Sequence, residues 1–148
     1  MRLLSTRSLT YVLAPVAVVL SAAACASASA AGGDDGGTPY IVRPTQEPDA
    51  YMEALIHGEI AVQGGCFVLL GGEKPSLVSW PYGTERSTEA DDAVVVPPGV
   101  TVRAGDTVEA GGGEWPRNRH EEYNDRCDLE GVGELVQLNP GLRVVADS

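Results

Sequence analysis

The chain has 148 residues, 43% of them hydrophobic but only 5% aromatic, with 18 Gly and 10 Pro. Its first 24 residues read as a removable export signal, and once Arg2 and Arg7 leave with it, eight basic residues face 21 acidic ones, a net charge of −13 with both histidines neutral. That balance excludes a nucleic-acid binder, which needs basic surface to displace counterions from phosphates. The glycine and proline content excludes long helices, and what remains has the size of one small domain with a modest core.

Arg2 and Arg7 form a positive n-region, residues 9–20 an apolar run interrupted by Pro15, and Ser21-Ala22-Ala23-Ala24 a small-residue stretch that ends at Cys25. Such a segment is exported and cut. A cysteine directly after small residues at the end of an apolar run resembles the lipobox of bacterial lipoproteins, in which the thiol is diacylated and the bond before it cleaved. The resemblance implies that Cys25 is the lipidated mature N-terminus and the membrane a partner through it, although Ala22 stands where the family usually has leucine. Two alternatives remain: cleavage at Ala28-Ser29-Ala30, which discards Cys25 and secretes the chain, and an uncleaved helix, for which the apolar run is short of the roughly 18 residues a span needs. All three place the domain outside the cytoplasm.

Residues 26–37 are Ala, Ser, Gly and two aspartates, a composition with nothing to bury, and Pro39, Pro44 and Pro48 then punctuate residues 38–49. Residues 25–50 are therefore expected to form a disordered tether, extended and poor in ladder donors, with the folded domain over 51–148. Within it, turn signals recur at Gly64-Gly65, Gly71-Gly72, Pro81-Tyr82-Gly83, Pro97-Pro98-Gly99, Ala104-Gly105-Asp106, Gly111-Gly112-Gly113 and Asn139-Pro140-Gly141. Strands are predicted between them at about 55–62, 66–70, 77–80, 93–96, 100–103, 107–110, 134–138 and 142–145. So many short strands in so small a unit predict an all-β fold, a small antiparallel, partly open barrel of OB-like form or, failing that, a sandwich.

The run 58–70, then Trp80-Pro81-Tyr82-Gly83, then Gly105-Asp106-Thr107-Val108 followed by Gly111-Gly112-Gly113, resembles small uncharacterised lipoproteins of actinobacterial type. The resemblance covers about two-thirds of the folded unit, rests on glycine-rich motifs, and implies fold and location without an activity.

With Cys25 acylated or removed, Cys66 and Cys127 are an even pair in an oxidising compartment, which predicts a disulfide between them. A Cys2His2 zinc site of His57, Cys66, His120 and Cys127 is the rival, but its spacings match no usual zinc pattern. No metal or other cofactor is expected. The segment 118–128 holds His120, Glu121, Glu122, Asp125 and Asp128, yet it lacks the spacing and central glycine of an EF-hand, and a solvated acidic loop is the plainer reading. His120-Glu121 begins like a zinc-protease motif whose second histidine would fall on Asn124, so that motif fails. There is no Gly-x-Ser-x-Gly elbow, and the adjacent acids Asp91-Asp92 and Glu121-Glu122 point apart on a strand or face water in a loop.

The expectation is thus a non-catalytic binding or structural domain whose partner is an envelope glycan, a peptide or a protein. An envelope-polymer hydrolase using acidic loop residues is the alternative. In an up-and-down meander, a bridge to Cys66 would hold the far end of residues 114–126, which reach up to about 43 Å when extended, beside the loop after Trp80. Trp80, Tyr82, His120 and Tyr123, with Trp115 behind them, would then line a shallow aromatic and acidic groove. The simpler role for Trp80 and Trp115 is to fill the edges of an aromatic-poor core.

Overall fold

The computed structural model describes residues 37–115 and 121–146. The signal and Cys25 lie outside the described residues, as does His120. Among the described residues nine strands account for nearly all the regular structure: β1 (Ala54–Gln63), β2 (Cys66–Leu70), β3 (Ser76–Ser79), β4 (Glu85–Arg86), β5 (Ala93–Val96), β6 (Val100–Arg103), β7 (Thr107–Trp115), β8 (Leu135–Leu138) and β9 (Arg143–Val145), with a 3-10 turn at Glu121–Tyr123. The fold is all-β.

Pairing closes five of these strands into a ring, β1 to β2 to β3 to β8 to β7 and back to β1, with β9 added on β7. Every contact in the ring is antiparallel except β3 with β8, which run parallel at Leu77↔Leu135, Val78↔Val136 and Ser79↔Gln137. A small, partly open OB-like barrel is therefore present, but the up-and-down order is corrected: β3 is followed in space by β8. Residues 80–106, holding the three-stranded sheet β4-β5-β6, lie between β3 and β7 in sequence. Val94, Val96 and Val102 from that sheet are fully buried with the barrel's own interior side chains, so the small sheet plugs the barrel.

Closure depends on two long strands that each serve two neighbours. The first half of β1 pairs with β7 from Ala54↔Gly112 to Glu59↔Thr107, and its second half pairs with β2 from Glu59↔Leu70 to Gln63↔Cys66. The handover falls beside Gly58, where a Cβ would lie 2.9 Å from Leu69 Cγ and closer still to the Leu70 carbonyl, so only glycine lets the strands approach. The hairpin into β2 uses Gly64 and Gly65 at φ 58° and 78°, the pair of left-handed residues that a two-residue type I′ turn requires. Gly111-Gly112-Gly113 does not form the expected turn. It continues β7, because a Cβ on Gly112 or Gly113 would come closer than 3.0 Å to Gln137 or Met52, and bare backbone is what fits there.

Two cores result. Inside the barrel, Ile56, Ile60, Phe67, Leu69, Val78, Trp80, Val108, Val136 and Leu138 pack together. On the outer side of β2, β3 and β8, Val68, Leu77 and Leu135 pack against Val42, Cys127, Leu129 and Val132. β2 is buried on both faces, which is why Cys-Phe-Val-Leu-Leu is continuously apolar rather than alternating.

The ordered chain starts upstream of the expected Tyr51. Residues 39–43 form a strap that bridges Tyr40 to Cys66 and Val42 to Ser79, with Tyr40 N–H donating to Gly65 O at 2.7 Å and Trp80 N–H to Val42 O at 2.8 Å. Val42 is 1% exposed. Prolines at 39 and 44 keep this stretch out of a regular ladder, but Ile41 and Val42 between them bury enough apolar surface to hold it on the barrel.

Candidate functional site

Cys66 and Cys127 form a disulfide across 61 positions with their Cα atoms 5.5 Å apart. Cys66 closes the tight β1–β2 turn, and Asp128 N–H donates to Gly64 O at 2.8 Å beside it. The segment from Glu121 onward is thereby pressed onto the outer face of β2 and β3. Within 118–128 the solvated-loop reading holds for Glu122, Asn124, Asp125 and Asp128, which are exposed, but not for Cys127, which is buried, as are Leu129 and Val132 just beyond it. In OB folds the face of the second and third strands is the usual binding platform. In this chain Leu129, Val132 and Cys127 cover that face with the chain's own side chains.

Among the described residues the expected aromatic groove is not assembled. Trp80 is 0% exposed, inside the barrel, in edge-to-face contact with Phe67 at 5.5 Å between centroids. Trp115 belongs to the outer core and donates from Nε1 to Gln137 Oε1 at 3.0 Å. Tyr123 also packs on the outer core, where burial first, and then its hydrogen bond to the Glu122 carboxylate and that group's negative charge, push its phenol up to about 12. Of the four that are described, Tyr82 alone lines a cleft and is exposed. The groove required Trp80 at the surface, and an interior with so few aromatics takes its largest ring inside.

A concavity among the described residues lies between the strap and the turn after Trp80. It is an open cleft of about 890 Å³ lined by Tyr40, Ile41, Arg43, Pro44 and Thr45 on one wall and Tyr82, Gly83, Glu85 and Arg86 on the other. The walls are latched in both directions: the Arg43 guanidinium donates to Thr84 O, and Arg86 Nη2 donates to Pro39 O at 2.7 Å. Each guanidinium carries five N–H donors, so most remain for other acceptors. Tyr40 and Tyr82 are 38% and 44% exposed, large rings left open to water at the rim. Arg126, from the disulfide-held segment, places its Cζ 5.5 Å from the centroid of the Tyr40 ring. The sequence carried two signals for this site that the proline content masked: a Tyr-Ile-Val run between Pro39 and Pro44, and arginines in a strongly acidic chain.

Among the described residues no cluster of His, Cys, Asp and Glu is arranged to hold a metal ion. His57 is exposed on β1, cross-strand from Glu109, and is not grouped with the cysteines. Asp91 and Asp92 are exposed at the start of the turn into β5. One pair of carboxyls does meet: Glu134, hydrogen-bonded to Glu114 and repelling its charge, holds the Glu114 carboxyl above the usual carboxylate range. Neither residue lines the cleft. Compared with known protein families, curated proteins and solved structures, the chain matches none.

Proposed function

We propose that this chain is an extracytoplasmic binding domain, held at the outer face of the cell membrane by a lipid on Cys25 and taking its ligand in the cleft between the strap and the turn after Trp80. The observation that carries the reading is the cleft itself, whose two walls are joined by reciprocal arginine-to-backbone hydrogen bonds and so are formed before any ligand arrives. The signal pattern ending at Cys25 and a disulfide suited to an oxidising compartment support the location. Residues 26–38 link Cys25 to the strap, and thirteen residues span at most about 45 Å, so the ligand would be met close to the membrane. Two acyl chains give stable anchoring where one is marginal.

Two measurements test it. Cys25→Ser should move the protein from the membrane fraction to the soluble one, and retention equal to the parent's would show that lipidation is not the anchor. Titration of the mature chain with envelope glycans and peptides, followed by amide NMR, should shift residues 40–45 and 82–86, and no movement there with any of them would remove the cleft as the site.

A further inference from the structure

The described residues include six basic side chains: Arg43, Lys74, Arg86, Arg103, Arg126 and Arg143. Two of them are spent on carboxylates, Arg103 on Glu89 and Arg143 on Glu109. Three of the other four gather at one place: Arg43 and Arg86 in the cleft walls and Arg126 on the Tyr40 ring that forms its rim. No described carboxylate lies within 4.0 Å of any of these three guanidinium groups, although the chain has 21 acids to supply one. Glu85 lines the same cleft and still does not pair with them.

Among the described residues, a chain whose mature form carries −13 lines this cleft with two arginines and one carboxylate, and brings a third arginine onto the Tyr40 ring, so the charge gathered there is positive. Screening confines the repulsion from distant acids to about 8 Å at physiological salt, so a ligand in the cleft is governed by the charges that line it. Backbone carbonyls hold the Arg43 and Arg86 heads, which lowers the entropy lost when their remaining donors engage an acceptor. Guanidinium forks match the oxygens of carboxylate and phosphate, and tyrosine rings at the rim suit the face of a sugar ring.

We propose that the strap cleft binds an oxyanion, a carboxylate or phosphate carried on a sugar or polyol, through Arg43 and Arg86, with Tyr40 and Tyr82 against the carbon skeleton and Glu85 accepting from a hydroxyl. This rests on the cleft being the ligand site. A phosphate of this kind is offered both by soluble glycerol phosphates and by anionic lipid headgroups.

The test follows the arginine side-chain and cleft amide resonances of the mature chain on addition of glucuronate, glycerol 1-phosphate or glucose. The acids should produce saturable shifts at Arg43 and Arg86 that glucose does not produce. Arg86→Lys keeps the charge and loses the fork, and should weaken binding roughly 10-fold or more. Arg143→Gln, on β9, should leave it unchanged, and melting curves of both variants verify that they are folded. Glucose shifting the cleft as strongly as the acids would overturn the oxyanion while leaving the cleft a ligand site. Silence at residues 40–45 and 82–86 with all three probes, and with envelope peptides as well, would overturn both. Equal affinity of Arg86→Lys for the acids would also overturn the assignment. To separate the two sources, the Cys25→Ser chain is floated with phosphatidylglycerol vesicles: retention lost in Arg86→Lys assigns the headgroup, and binding of glycerol 1-phosphate without retention assigns the soluble ligand.

Discussion

Replacing Cys66 and Cys127 together by alanine tests how much of this domain depends on its covalent staple. The bridge closes a loop across 61 sequence positions, for which chain entropy gives a stabilisation of about 4 kcal/mol at 25 °C. That is a large share of the roughly 5–15 kcal/mol a small domain has in total. Over a unit of roughly 110 residues it corresponds to a fall in Tm of about 18 °C. The consequence should be local as well as global, because Cys127 carries Leu129 and Val132 onto Val68 and Leu77, and without the bridge only those apolar contacts and the Asp128-to-Gly64 hydrogen bond hold the segment down. Urea unfolding of parent and variant, with peptide mapping under non-reducing conditions, measures the loss and the pairing in the same samples. Amide exchange should accelerate first in residues 121–132. Recovery of both thiols free from the parent, or a loss under about 1 kcal/mol with unchanged exchange in that segment, would refute the reasoning.

Gly58→Ala should cost on the order of 3 kcal/mol or more, because its methyl would press on the Leu70 carbonyl and on Leu69 at 2.9 Å where β1 changes partner, whereas Gly72→Ala, whose nearest neighbour is 3.6 Å away, should stay within about 0.5 kcal/mol; chemical denaturation of the two compares them. A spectrophotometric titration of phenolate should show a step near pH 12 from Tyr123, and Tyr123→Phe should remove that step. Its folded-state pKa is raised above the unfolded value, so its contribution to stability is complete below pH 10 and is lost as pH climbs from about 10 to 12; equal alkaline unfolding curves for parent and Tyr123→Phe would contradict it.

The strand content was legible because it rests on local chemistry. Gly64-Gly65 reads as a tight hairpin, Val100-Thr101-Val102-Arg103 alternates as a half-buried strand must, and Cys66 and Cys127 are the one pair of cysteines within the folded unit. Neighbour relations were a different matter. Nothing in β3 or β8 announces that they run side by side in parallel, since both are short apolar runs that any adjacent strand would satisfy, and the meander assumed in its place put Trp80 and Tyr123 in one groove. Gly111-Gly112-Gly113 looks like a turn in isolation and is a strand because Met52 and the Gln137 backbone approach too closely for any side chain.

The candidate site shows the same division. Acidity, an all-β domain and a disulfide follow from residue types and their order, because charge and turn geometry act over a few positions. The cleft does not, since it joins Arg43 to Thr84 and Pro39 to Arg86 across more than forty residues. Only the folded barrel decides that a proline-flanked strap lies against the turn after Trp80, that Tyr82 of that turn stays in water while Trp80 fills the interior, and that Arg43 and Arg86 line one cleft with no described carboxylate within ion-pair distance of either.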